Sequence, residues 1–300
     1  MFDSLERISN NPVTSGTYRR EAGEKTGDRL KPIKRGTMTN MIVKSAAVAL
    51  LATVAIPAIS LAQSAPLIIG MSTTPTTLDP HEDSSAPNNA TSRHIWDSLI
   101  NLTGTSANEP ELATEWKAVD STHWEFKLRE GVKFHDGSAF DAQDVVASLL
   151  RARDKPSQGF ASYTRNIVAV TAKDPMTVVI ETSVPDPLLL NSVSRVRIIS
   201  SDCAGASVQE FDTGACAIGT GAYAFSSFTP GDRLVLKRND DYFAGPSHWS
   251  DVTLRFLPDD GARLASLLSN EIDIVEALPA DGMARVEESD DLQVINGQSS

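Results

Sequence analysis

Runs and alternations of apolar side chains predict most of the elements of this chain. Leu67-Ile68-Ile69-Gly70 is a short unbroken apolar run, as expected of a buried strand that opens a sheet. Pro75, Pro80 and Pro87 punctuate the loop that follows. Asn88 reads as a helix cap, and Thr91, Ile95 and Leu99 recur at four-residue steps beside Trp96, which predicts an amphipathic helix facing inward. Trp124, Phe126 and Leu128 alternate with Glu125 and Lys127; Glu130-Gly131 turns the chain, and Val132 and Phe134 flank Lys133. That pattern predicts a β-hairpin with one buried face. His135-Asp136-Gly137 is a second turn. Asp141 then caps a helix with Asp144 in its first turn and Val145, Val146, Leu149 and Leu150 as its apolar stripe. Further strands are predicted at 177–181, 233–237, 253–257 and 271–275, with a helix at 263–268 between the last two. The irregular alternation of strands and helices predicts an α/β or α+β protein.

Residues 41–62 are the longest apolar stretch. Lys44 precedes the run from Ser45 to Ile56, Pro57 breaks it, and Ser60-Leu61-Ala62 closes it with small residues. This is the three-part pattern of a secretory signal peptide, with cleavage after Ala62 and before Gln63. A membrane-spanning helix needs about 20 uninterrupted apolar residues, and Pro57 and Ser60 shorten this run. Residues 1–37 are polar and basic, unlike the start of a signal peptide, so translation is expected to begin at Met38 or Met41.

The chain carries 27 Lys/Arg and 39 Asp/Glu, a net charge of −12. Nine of the basic and five of the acidic residues fall in 1–62, leaving 18 and 34 in the remainder, a balance of −16. A body this acidic repels phosphate backbones, which argues against nucleic acid as a partner. The two cysteines, Cys203 and Cys216, are close in sequence; in an exported protein they are expected to form a disulfide, worth about 3 kcal/mol for a loop this short.

No hydrolase nucleophile elbow, zinc-protease motif or phosphate loop is present in the sequence, and no cofactor is expected. Gly219-Thr220-Gly221 lacks the lysine a phosphate loop needs. His81-Glu82-Asp83 offers metal-ligand types, but neighbouring residues rarely converge on one ion.

Four segments carry a family resemblance. They are Thr77-Leu78-Asp79-Pro80 with Ile95-Trp96-Asp97-Ser98-Leu99; Glu111 to Trp116 leading into Trp124 to Gly137 and Asp141 to Val146; Ile218-Gly219-Thr220-Gly221-Ala222-Tyr223; and Asn239 to Phe243 with Leu268 to Ile274. In this order they resemble the bacterial extracellular solute-binding proteins of family 5, the oligopeptide-, dipeptide- and nickel-binding group of ABC importers. Ala222 stands where many relatives have Pro, and Asn270 where they have Gly.

The resemblance implies an α/β, periplasmic-binding-protein type II-like fold (cluster C) with two lobes about a hinge. On this reading residues 1–62 are the upstream segment and signal peptide, 63–100 the first segment of lobe 1, 101–190 a satellite domain inserted in it, and 191–300 its return, ending near the hinge. The second lobe is then expected to be missing from these 300 residues, which alone should bind peptide poorly and tend to aggregate. The implied ligand-lining residues are Ser84, Ser85 and Ala86, Phe160 and Tyr163, and Val275 and Glu276. The implied role is that of a monomeric, non-enzymatic periplasmic receptor that passes a small solute, a peptide first of all, to ABC importer permease subunits. A nickel chelate, haem, glutathione, an opine or a sugar are the other solutes of such a fold, and a non-functional truncated remnant is the remaining alternative.

Overall fold

The computed structural model describes residues 66–102, 107–155, 157, 159–289 and 291–294. The expected signal peptide, its cleavage site and the start at Met38 or Met41 lie outside the described residues.

The apolar run after residue 66 forms β1 (Leu67–Met71), the second of five strands in the first sheet. Its neighbours are β10 (Asp251–Phe256) and β11 (Ile274–Val275), both parallel to it. Covered on both sides and both faces, β1 needs no polar positions, and four of its five residues are buried. The sheet continues through antiparallel β9 (Arg233–Arg238) and β8 (Tyr223–Thr229), in the order β11-β1-β10-β9-β8. In β9 the pattern alternates, and Leu234 and Leu236 point with Leu67, Ile69, Val252 and Leu254 into a core that also takes Ile95, Trp96 and Phe211.

The second sheet is wholly antiparallel, β4 (Ala113–Ala118), β5 (His123–Leu128), β7 (Thr177–Thr182) and β6 (Ile167–Asp174), in that order. Helix α2 (Ala142–Asp154) covers it with Val145, Leu149 and Ala152. The predicted cap is present: Asp141 and Asp144 form a capping box, with Gln143 N donating to Asp141 at 2.7 Å. A two-strand ribbon, β2 (Ile100–Leu102) with β3 (Asn108–Pro110), leads from the first sheet to the second. The short helices are α1 (Ala86–Ser92), α3 (Ala161–Thr164), α4 (Leu189–Val193) and α5 (Val208–Asp212); α6 (Asp260–Leu268) and α7 (Ala280–Glu287) follow. The α/β class is as expected.

Three expectations need correction. Residues 132–134 do not pair with β5 as a hairpin. Both edges of β5 are taken, by β4 and β7. Beyond the turn at Gly131, where φ is +75°, Val132 and Phe134 close a separate loop through Phe140 N→Val132 O and Phe134 N→Ser138 O. Alternation shows which face of a strand is buried, not which strand it pairs with. The helix expected after Asn88 starts earlier, at Ala86, because Pro87 supplies a preset φ in its first turn, and it stops at Ser92. The carbonyls of His94 and Ile95, which would continue it, instead accept from Tyr223 N and Gly221 N at 3.0 and 2.9 Å. Ile95, Trp96 and Leu99 are nonetheless fully buried. The strand expected at 271–275 is limited to Ile274–Val275, since Asn270 turns left-handed at φ 59° just before it.

The contact of 94–95 with 219–223 explains the Gly219-Thr220-Gly221 segment. A Cβ on Gly219 would stand 1.9 Å from the Ile95 carbonyl oxygen, and one on Gly221 2.7 Å from that of His94. The glycines let two backbones touch. Thr220 and Tyr242 donate from their hydroxyls to the buried Asp97 carboxylate at 2.7 and 3.0 Å, and His135 N donates to Gly219 O, tying the second sheet to the same turn.

Candidate ligand-binding site

Strands β11, β1 and β10 run parallel, so their carboxyl ends lie on one edge of the sheet. The chain leaves β1 for the second sheet, whereas it leaves β10 through α6 and returns as β11 on the far side of β1. Connections that depart in opposite directions from adjacent parallel strands leave a crevice at that edge, the usual ligand position in open α/β sheets.

The residues at this edge are Ser72, after β1, and Glu276, after β11. Glu276 N donates to Gly70 O at 2.9 Å, and the Glu276 carboxylate accepts from Ser72 N and Oγ at 3.4 and 3.3 Å. Among the described residues this carboxylate has no ion-pair partner. Val275 and Glu276 therefore stand, half-buried, beside the start of the loop 72–85.

That loop is held by its own polar side chains. Asp83 accepts from Ser85 N and Oγ at 2.9 and 2.8 Å and from Thr76 Oγ1 at 3.2 Å. Asn88 accepts from Thr76 N at 2.9 Å, and Asn89 donates to Ser84 O at 2.6 Å. Ser84 and Ser85 are half-buried and Ala86 is exposed.

Segment 159–163 packs against the same loop. A Cβ on Gly159 would lie 2.4 Å from Glu82 O, so the two backbones touch there as well. The Phe160 ring meets His81 edge-on at 6.0 Å between centroids, and Tyr163 at 6.1 Å. Phe160 itself has no exposed surface and belongs to the core of the second sheet; Tyr163 is the ring of the pair that keeps some surface. The structure thus sets 159–160 against 81–83, just before the 84–86 turn, and Glu276 against Ser72, the two contacts lying along the loop 72–85.

Beneath the loop lies an ionic knot. Arg151, on α2, donates twice to Asp79, Nη1 to Oδ1 at 2.8 Å and Nη2 to Oδ2 at 2.7 Å, and Lys155 donates to the same carboxylate at 2.6 Å and to Glu82 at 2.9 Å. The Asp79 side chain is fully buried. Burial alone would push its carboxyl up; the bonds from Arg151 and Lys155 outweigh this and hold it down at about 2. His81 Nδ1 accepts from Arg151, which assigns the Nε2 proton to the 2.7 Å bond with Arg197 O. Burial, then the charge of Arg151, push His81 down to about 4. Both ring nitrogens are thereby committed, which removes His81 from any metal set with Glu82 and Asp83.

The disulfide Cys203–Cys216 buttresses the knot from the other side. Within its loop, the carbonyls of Ala204 and Ala206 accept from Arg151, and Asp212 accepts from Thr77 Oγ1 at 2.7 Å and Leu78 N at 2.6 Å. Sequence reasoning missed Ser72, whose signal was its place directly after β1. It also missed Arg151, whose partner lies 72 residues away and leaves no local pattern.

Comparison with known proteins shows the family and the fold. The family model described as "Bacterial extracellular solute-binding proteins, family 5 Middle" matches residues 108–300, more than half of the chain. The glutathione-binding protein GsiB of Escherichia coli O1:K1 / APEC is 26% identical over 237 residues, covering 78% of this chain and 46% of GsiB. The periplasmic murein peptide-binding protein MppA of Escherichia coli K12 is 27% identical over 239 residues, covering 73% and 44%. Among solved structures, the solute-binding protein MoaA of A. tumefaciens R10, in complex with mannopinic acid, superposes with a TM-score of 0.68 at 28% identity, covering 75% of this chain and 48% of MoaA. The chain spans about half the length of the curated relatives it matches.

Proposed function

Because the chain belongs to the bacterial extracellular solute-binding proteins of family 5, we propose that its described residues form one wall of a solute cleft in the receptor component of an ABC importer. The observation that carries this reading is the pairing of Ser72 with Glu276 at the carboxyl edge of the parallel strands, from which the loop 72–85 runs to the segment that carries Tyr163. Hydroxyls, a carboxylate and one partly exposed ring suit a small, polar, peptide-like solute, whose backbone such groups hold by hydrogen bonds. The expected role is export to the periplasm, capture of peptide without chemical conversion, and delivery to permease subunits.

The second reading keeps the cleft and changes the solute. GsiB is named for glutathione and MoaA is complexed with mannopinic acid, so a modified peptide or an opine is the specific alternative. Native mass spectrometry of protein purified from the periplasm separates the two. A retained mass that fragments into amino acids supports peptide uptake. A retained glutathione or opine mass supports the alternative, and protein recovered only in the cytoplasm contradicts the receptor reading.

A further inference from the structure

Arg263 is almost fully buried, at 2% exposure, on the first turns of α6. Its guanidinium gathers backbone from two places. Nη1 donates to Leu257 O at 2.7 Å and to Pro258 O at 3.3 Å, the residues that follow β10. Nη2 donates to Ala277 O at 2.7 Å, just after β11, and to the Asp260 carboxylate. The stem packs against β1 at Gly70, where a Cβ would stand in ordinary contact, 3.6 Å, with Arg263 Cγ. Among the described residues, its buried Nε has no hydrogen-bond partner. The side chain is therefore committed through its two Nη groups, and both grip the chain where it leaves the sheet at the cleft edge.

Ala277 has φ +54°, a conformation that side-chain-bearing residues seldom adopt. It directly follows Glu276. If the Arg263 bond to Ala277 O were lost, the alanine would be free to relax out of the left-handed region and turn Glu276 away from Ser72. We infer that Arg263 is a positioning residue of the solute cleft: by holding Ala277 left-handed and tying it to the end of β10, it sets where Glu276 stands against Ser72. This rests on the reading of that edge as the cleft.

The test uses the full chain with Arg263→Lys, Arg263→Met, and Arg263→Met combined with Ala277→Gly. Glycine accepts a positive φ without steric cost, so it should restore the geometry without restoring the guanidinium. Amide hydrogen exchange at Glu276, whose N–H bonds to Gly70 O, is expected to rise about tenfold or more in Arg263→Met and less in Arg263→Lys, with β5 and β7 unchanged. The double variant should return most of the protection. No local rise, an equal rise across both sheets, or no rescue by Ala277→Gly overturns the inference. Calorimetric titration with reduced glutathione and with tri-alanine runs in parallel: a probe that binds the parent should bind Arg263→Met about tenfold more weakly and the double variant nearly normally. Equal affinity in parent and Arg263→Met also overturns it. If the parent binds neither probe, as expected of one wall of a cleft, exchange at Glu276 alone decides the role of Arg263.

Discussion

Asp79 carries more of this structure than its place in a four-residue motif suggests. Its carboxylate is fully buried and answers two cations, Arg151 and Lys155. Asp79→Asn leaves both cations facing a neutral amide, and breaking a buried pair from one side costs about 3–5 kcal/mol. Urea unfolding should show a loss of that size; a loss within about 0.5 kcal/mol, the usual range for an ordinary surface change, would mean the knot is not formed. His81 adds a pH dependence. Its folded-state value lies near 4, below its ordinary 6.5, because burial and Arg151 disfavour the cation. The neutral ring's contribution is thus complete above about 6.5 and lost as pH falls toward 4, worth about 3 kcal/mol across that window. Asp79 acts lower: its contribution is full above its ordinary 3.8 and disappears as pH falls through about 2. His81→Gln should therefore flatten the stability–pH profile between 4 and 6.5. It should not abolish the slope, since burial holds His94 near 4 as well. An unchanged slope in the variant would contradict the burial of a neutral His81.

At the scale of elements, what could be read in advance was what is local. The run at 67–70, the Asp141 cap and the alternation at 233–237 each depend on neighbours within a few residues, and each corresponds to an element found there. What could not be read was pairing. Val132 and Phe134 are buried as their pattern implies, yet no local feature says that β7, some fifty residues on, occupies the edge of β5. The stop of α1 was likewise invisible, because it depends on the carbonyls of His94 and Ile95 being claimed by the 219–223 segment. That claim predicts a sharp response. Gly219→Ala must push a methyl against the Ile95 carbonyl, which should cost about 1–3 kcal/mol or more and show as a lowered midpoint in thermal unfolding. Gly205→Ala, where a Cβ meets nothing within 4 Å, is the control expected to stay near the parent. The Cys203–Cys216 staple belongs to this scale as well. Replacing both by Ser should cost about 3 kcal/mol through the freed loop. It should also loosen Thr77 and Leu78, which Asp212 within that loop holds, and faster exchange at the Leu78 amide is the check.

For the whole molecule, the family and its α/β architecture were legible because the resemblance rests on turn glycines, capping residues and core aromatics, which recur in order along the chain. The candidate site was legible only as positions. Sequence could name Ser84, Ser85, Ala86, Tyr163, Val275 and Glu276, but only folding sets 159–160 against 81–83 and Glu276 against Ser72. Phe160 shows the limit most clearly: an aromatic in a loop looks available to a solute, and the structure sends it wholly into the core. Ser72 was overlooked because nothing distinguishes one serine from another until the parallel strands align their ends. The central claim is that solute meets this carboxyl edge. A backbone-amide NMR titration of the isotope-labelled chain with tri-alanine tests it most directly, since it registers even weak contact with a single wall of a cleft. The account predicts shift changes concentrated at Ser72, 84–86, Tyr163 and Glu276. Changes confined instead to the open groove on the second sheet, between Glu115, Lys127 and Asp174, would contradict it.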